Sequence, residues 1–169
     1  MGNQQETTKA YIAGILDGEG CIHISLQSKR GPRSIGTLHH IVQIANTSKV
    51  LVDFIANWFD NQNIPYHVWW TKPKGKNQKI YAQVRVTRFH GINKFLTLLL
   101  PYLVIKKAQA NLMLEFSSRR LEVLGQEGRR KLSYENRDFE IINLMKTLNQ
   151  RGTGPSTTTR ETLSSDDIV

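Results

Sequence analysis

The chain has 169 residues and a net charge of +9, enough for one core of ordinary size with an appended tail. Its single cysteine, Cys21, rules out an internal disulfide and leaves a structural zinc site without a second thiolate. No apolar run approaches a membrane span and the opening nine residues are polar, so neither a membrane protein nor a secretory signal is expected, and an intracellular, reducing setting is.

The first element reads as a helix that stops on two acids separated by glycines, Asp17-Gly18-Glu19-Gly20. Ala10, Ala13, Gly14 and Asp17 recur at helical spacing on one face, and Tyr11, Ile12, Ile15 and Leu16 on the other. The second face is an ordinary core stripe, whereas the small residues of the first would let another backbone approach closely. Gly18 and Gly20 are expected at positive φ, ending the helix and aiming Glu19 out of its tip. A solvated carboxylate is the commonest fate of such an acid. An EF-hand loop is excluded, because no further oxygen ligands follow at its spacing.

Residues 21–28 then alternate, with Ile22, Ile24 and Leu26 on one side and His23, Ser25 and Gln27 on the other. A basic turn containing Lys29, Arg30 and Arg33 leads to a second strand over 36–46. There Leu38, Val42 and Ile44 are apolar on one side, opposite Thr37, His39, Gln43 and one odd apolar member, Ile41. Thr47 or Ser48 can cap a helix to about residue 60, with Leu51, Phe54, Ile55, Trp58 and Phe59 as its buried stripe. A hairpin of strands 66–72 and 79–88 surrounds a turn carrying Lys74 and Lys76. In its second strand Ile80, Ala82, Val84 and Val86 face in, while Tyr81, Gln83, Arg85 and Thr87 face out. Trp69 and Trp70 are adjacent, so alternation sends one to the core and one outward, without saying which.

A short helix over 92–100 is stopped by Pro101, and a longer one over 106–124 carries Ile105, Ala108, Leu112 and Phe116 on one side before Gly125 and Gly128 break it. Ser133 caps a last helix through residue 148, and a Gly/Ser/Thr-rich tail follows from 149. Residues 1–148 are thus expected to form one domain, with 149–169 a C-terminal tail.

Charge is unevenly placed along this order. Residues 20–114 hold thirteen Lys and Arg against only Asp53 and Asp60, whereas 115–169 hold nine of each sign. A middle region cleared of acids suits a polyanion surface, and no basic amphipathic helix there suggests a membrane.

The nine residues from Ile12 to Gly20 closely resemble the signature of the LAGLIDADG homing endonucleases, which end in the same acid-glycine-acid-glycine cadence. The element order is similar to that family over nearly the whole chain: an α+β, αββαββα fold whose antiparallel sheets form a DNA-binding saddle. A ferredoxin-like domain alternates its elements differently. The resemblance implies a site-specific DNA endonuclease cutting a long pseudo-palindromic double-stranded site to leave short 3′ overhangs, encoded by a mobile intron or intein. It implies a Mg2+ cofactor, with Mn2+ or Ca2+ able to substitute in binding, and no organic cofactor. Glu19, where the family more often has aspartate, would hold the metal with the Gly18 carbonyl. The runs around Asn46 and Lys106 carry over the water-ordering amide and the lysine near the cleaved phosphate. A basic residue common just inside the second helix is replaced by Val50, beside Lys49.

With one motif per chain and two strands to cut, the resemblance also implies a homodimer packed through Ala10, Ala13, Gly14 and Asp17. The outward strand residues His23, Ser25, Gln27, Thr37, His39, Gln43, Tyr81, Gln83 and Arg85 would then meet bases, with Trp70 grouped beside them. Lys29, Arg30, Arg33, Lys72, Lys74, Lys76 and Lys79 would sit in or near turns, where phosphate contact is expected. An RNA-binding maturase or an inactive DNA-binding regulator of the same fold is the alternative.

Overall fold

A computed structural model of the protein describes residues 2–27, 37–72, 75, 79–127 and 134–150. The chain runs α1 (Gly2–Glu19), β1 (Gly20–Gln27), β2 (Thr37–Asn46), α2 (Lys49–Asn61), β3 (His67–Trp70), β4 (Ala82–Val86), α3 (Phe89–Leu99), a 3-10 turn (Leu100–Tyr102), α4 (Lys107–Glu127) and α5 (Asn136–Leu148). The four strands make one antiparallel sheet in the order β1-β2-β4-β3. This is the expected αββαββ series followed by helices. The basic residues Lys29, Arg30, Arg33, Lys74 and Lys76 lie outside the described residues, as do Ser133, Gly128 and the tail from 151.

Alternation in the strands resolves into one buried face and one open face. Ile22, Ile24, Leu38, Val42, Ile44, Ala82, Val84 and Val86 are buried against the helices. Ile12, Leu16, Ile55, Phe59, Phe95, Leu96, Met113 and Phe116 complete that core from the helix side, with Phe59 and Phe95 edge-to-face at 4.8 Å. The odd-numbered strand residues occupy the other face, where direct cross-strand partners such as Gln43 and Arg85 lie side by side. Ile41 is buried on that polar face, 5% exposed, opposite His23.

Several local expectations shift. α1 runs through Glu19 and β1 begins directly at Gly20, and neither Gly18 nor Gly20 has a positive φ. Gly20 is required for space instead: a Cβ there would stand 2.3 Å from the Leu16 Cδ1 and 2.5 Å from the Leu16 carbonyl oxygen. In α2 the buried stripe is Val52, Ile55, Trp58 and Phe59, rotated so that Phe54 faces outward. Ser48 is its cap, its Oγ accepting the Leu51 amide at 3.4 Å. Ile80 is exposed, lying before the strand that starts at Ala82. α4 passes through Gly125 and buries Ala110, Met113, Phe116, Ser117 and Arg120, leaving Ala108 and Ile105 outside.

α5 is fastened to α4 by charge and to the sheet by its end. Asp138 pairs with Arg120 at 3.2 Å with both nearly sealed from solvent, and Arg120 also lies 5.0 Å from the Tyr134 ring centre. Arg137 grips Glu115 through two nitrogens at 2.6 and 2.8 Å. Glu135 caps α5 in a reciprocal box with Asp138, and Asn149 donates to the Ile22 carbonyl of β1 at 2.9 Å. Among the described residues no helix is long and apolar enough to cross a membrane.

Candidate active site

The C-terminal turn of α1 is where distant segments converge. Asp17, 8% exposed, accepts three backbone amides: Val104 at 2.8 Å, Ile105 at 3.2 Å and Lys106 at 2.8 Å. Burial pushes its carboxyl upward, but the amides of Val104, Lys106 and Ile105, aided by the Lys106 charge, outweigh this and hold it below the ordinary carboxylate range. Asp17 thereby pins the segment that leads into α4. The Lys106 ammonium turns back and donates to the Asp17 backbone carbonyl, a helix-end acceptor with no intrahelical partner.

Glu19 stands two residues on, exposed at the helix end. Asn46, the last residue of β2, donates from Nδ2 to Glu19 Oε2 at 3.0 Å. The Asn46 Oδ1 meanwhile accepts the Ser48 backbone amide at 2.8 Å, so the cap of α2 fixes which way the Asn46 side-chain amide points. Glu19, Asn46 and Lys106, 87 residues apart in sequence at the extremes, are thus gathered at one helix terminus.

Beside this terminus opens a groove of about 1210 Å³, with Glu19, Asn46 and Thr47 in its lining. Its cations are Lys72, Lys79 and Arg85, and its aromatic walls are Trp69, Trp70 and Tyr81. Arg85 donates to Gln83 on the same face. His23, Ser25, His39 and Gln43 continue that face across β1 and β2, whereas for Gln27 and Thr37 only the backbone is described, at the far strand ends. Burial, and then the nearby His39 charge, hold the His23 imidazole below its usual pKa. Lys49 is paired with Asp53 at 2.6 Å along α2, an exposed link of little energetic weight.

Both tryptophans are exposed, Trp69 63% and Trp70 41%, so neither enters the core. β3 is the edge strand and is exposed at all four of its positions, which is why alternation did not force a choice. Trp69, Thr47 and Thr71 are lining residues that strand patterning did not single out. Of the four residues on the small face of α1, Ala10 and Gly14 are at the surface, while Ala13 and Asp17 are buried within the protomer. Tyr11, read as core, is 55% exposed beside Phe54, with ring centres 5.6 Å apart.

Three solved structures are similar over most of this chain. The homing endonuclease I-CvuI, in complex with the I-CreI target in the presence of Mg with DNA not cleaved, matches over 85% of this chain and 97% of its own, at 16% identity and TM-score 0.54. The archaeal intron-encoded homing endonuclease I-Vdi141I, complexed with DNA, matches over 86% of both chains at 18% identity and TM-score 0.62. The LAGLIDADG homing endonuclease I-SmaMI, bound to cleaved DNA, matches over 86% of this chain but 44% of its own, at 15% identity and TM-score 0.56. No family profile and no curated protein matches the sequence. At these low identities the agreement is one of architecture: this chain has the LAGLIDADG homing-endonuclease fold.

Proposed function

We propose that the protein is a metal-dependent, site-specific endonuclease that cuts double-stranded DNA as a homodimer. The observation that carries this reading is the convergence of Glu19, Asn46 and Lys106 on one helix terminus, beside a groove lined by cations and aromatic rings.

The donor set suits magnesium better than zinc. Among the described residues no three His, Cys, Asp or Glu side chains gather to enclose an ion. An exposed carboxylate at the negative end of a helix, with backbone carbonyls beside it, is a hard-oxygen half-site that substrate phosphate and water complete. Glu19 and the Gly18 carbonyl would hold the cation, Mg2+ by this reading, with Mn2+ or Ca2+ able to occupy it. When bound, such a cation activates water and stabilises charge developing on the phosphate. The chain's own residues perform the rest. Asn46 orients the Glu19 carboxylate and is itself held by Ser48. Lys106 brings a positive charge close to the same terminus, and Asp17 fixes the backbone that carries it. Lys72, Lys79 and Arg85 draw in the polyanion, and the open face of the sheet lies along it.

One such cluster per chain cuts one strand, so two copies are required. Ala10 and Gly14, with nothing within 4 Å of a Cβ placed at Gly14, leave the α1 surface open to a close partner. Around it Tyr11, Val50, Phe54, Val104 and Ile105 are exposed, an apolar surface of the kind that marks an interface. The I-SmaMI chain, of which this one spans 44%, has room for two such units. The target would be long and pseudo-palindromic, cut to leave short 3′ overhangs, as befits an intron- or intein-encoded enzyme. A maturase or an inactive regulator of the same fold would need the sheet but not the Glu19–Asn46–Lys106 cluster.

The test is incubation of the purified protein with a plasmid library carrying randomised inserts, with Mg2+ or with chelator. Linear product only with the metal, from a shared insert sequence, is expected. No cutting of any insert would remove the reading, and sedimentation of a monomer on the bound duplex would remove the dimer.

A further inference from the structure

Trp69 lies on the open face of the sheet, not merely near it. Its direct cross-strand partner is Gln83, which in turn faces Ala45, and the row beside it is His67–Arg85–Gln43. At 63% exposure, its ring makes no hydrogen bond and no ring contact among the described residues. Leaving the largest apolar side chain in water on a face of hydrogen-bonding groups forgoes burial that the fold could have used. Lys72, Lys79 and Arg85 share its groove, so the surface it belongs to is complementary to a polyanion. In the major groove of DNA the one apolar group displayed at base edges is the thymine 5-methyl.

We propose that Trp69 is a specificity-determining residue that recognises thymine through its 5-methyl group, an inference that rests on the DNA-cleaving reading above. Arg85 and Gln83 offer hydrogen bonds to neighbouring base edges; Trp69 offers only contact area. Its position also fixes where that thymine lies. Asn46 pairs with Ala82 and Ala82 with Trp70, so the tryptophans sit two strands from the asparagine that holds Glu19. Two strand spacings are roughly 10 Å, about three base steps. The thymine therefore belongs to the inner part of each half-site, close to the cut.

The experiment uses duplexes enriched by the purified protein from a randomised library, resynthesised with deoxyuridine for thymidine at one symmetric pair of positions at a time. Deoxyuridine keeps every hydrogen-bonding group and removes only the methyl. One inner pair is expected to weaken wild-type binding by roughly fourfold per half-site, the effect of one buried methyl-sized group. Trp69→Ala should lose at least as much on the thymine duplex and lose nothing further with deoxyuridine at that pair. A wild-type protein indifferent to deoxyuridine at every pair overturns the proposal, whether or not the variant folds. So does a deoxyuridine penalty undiminished in Trp69→Ala. Cutting of the unmodified duplex separates the two readings. If cutting persists, a negative series removes only the role of Trp69; if no sequence is enriched or cut, both readings fall.

Discussion

Two buried aspartates tie together two ends of the molecule by opposite means. Asp17, at the end of α1, accepts three backbone amides from the segment leading into α4. Asp138, in α5, pairs with the Arg120 guanidinium at 3.2 Å and accepts the Glu135 amide at 3.0 Å. Each staples elements far apart in sequence, yet the first leaves an exposed acid two residues on and the second is closed under Tyr134. Amide donors satisfy the Asp17 carboxylate without a salt bridge to it, which leaves the Lys106 ammonium to lie on the Asp17 backbone carbonyl, two residues from Glu19. A guanidinium satisfies the Asp138 carboxylate, but spends the local charge on structure alone. Under the proposed endonuclease reading, the difference separates a pole that does chemistry from one that holds helices in place.

Replacing the acid that the first pole leaves free should have the largest effect. Glu19→Gln is expected to cut the cleavage rate by at least about 100-fold while leaving duplex binding nearly unchanged, measured by single-turnover gels and binding titrations. Full activity in that variant would dissolve the contrast between the poles. At the second pole Asp138→Ala should lower stability by about 3–5 kcal/mol, because Arg120 is left buried without its carboxylate. Denaturant melts would read this, and the folded fraction should cleave normally.

Asp17→Asn tests whether the first pole is structural as well. One amide-accepting oxygen becomes a donor facing other donors, at about 1–3 kcal/mol, and cleavage should fall with it because Lys106 is displaced. An effect on melting alone would make the two aspartates equivalent. Because the folded Asp17 pKa lies below its unfolded value, its contribution is present above the ordinary carboxylate range and is lost as pH falls beneath it.

The smallest expected effect concerns pH closer to neutrality. His40 sits on the helix side of β2, its ring stacked on Phe89 at 4.0 Å. Burial lowers its pKa and the charges of His39 and Arg120 push the same way, against the backbone bonds to Thr87 and Leu38. The unfolded chain therefore binds more protons below about pH 6.5, and stability should decline as pH falls through that value. His40→Gln should flatten the decline in melting temperature between pH 7.5 and 5.5, with a residual slope from His23, which is shifted in the same direction. An unchanged slope would place the sensitivity elsewhere.

Much of the architecture was written in local order. The alternation in β1, β2 and β4 separated buried from open residues, because each strand has a helix-covered side and period two leaves only one register that buries it. The acid-glycine-acid-glycine run singled out Glu19, and resemblance to a family of known pattern added Asn46 and Lys106. Strand alternation alone could not pair those three, since nothing local links residues 19, 46 and 106. Period likewise could not orient helices: α2 and α4 each carry more apolar positions than one face needs, and only their neighbours decided that Val52 rather than Phe54, and Ala110 rather than Ala108, would be covered.

What the sequence determined by itself was which strand residues alternate, in what order helices and strands follow, and that one region is cleared of acids; these follow from backbone geometry and side-chain chemistry within a few residues. What the tertiary structure decided was the fate of residues whose surroundings come from elsewhere. Trp69 and Trp70 stay exposed because β3 happens to be an edge. Asp17 turns inward because the amides of 104–106 arrive there, almost ninety residues later, as order-of-magnitude chain separation goes. Burial and hydrogen bonding are properties of the space around a side chain, and that space is filled by the whole chain rather than by its neighbours in sequence.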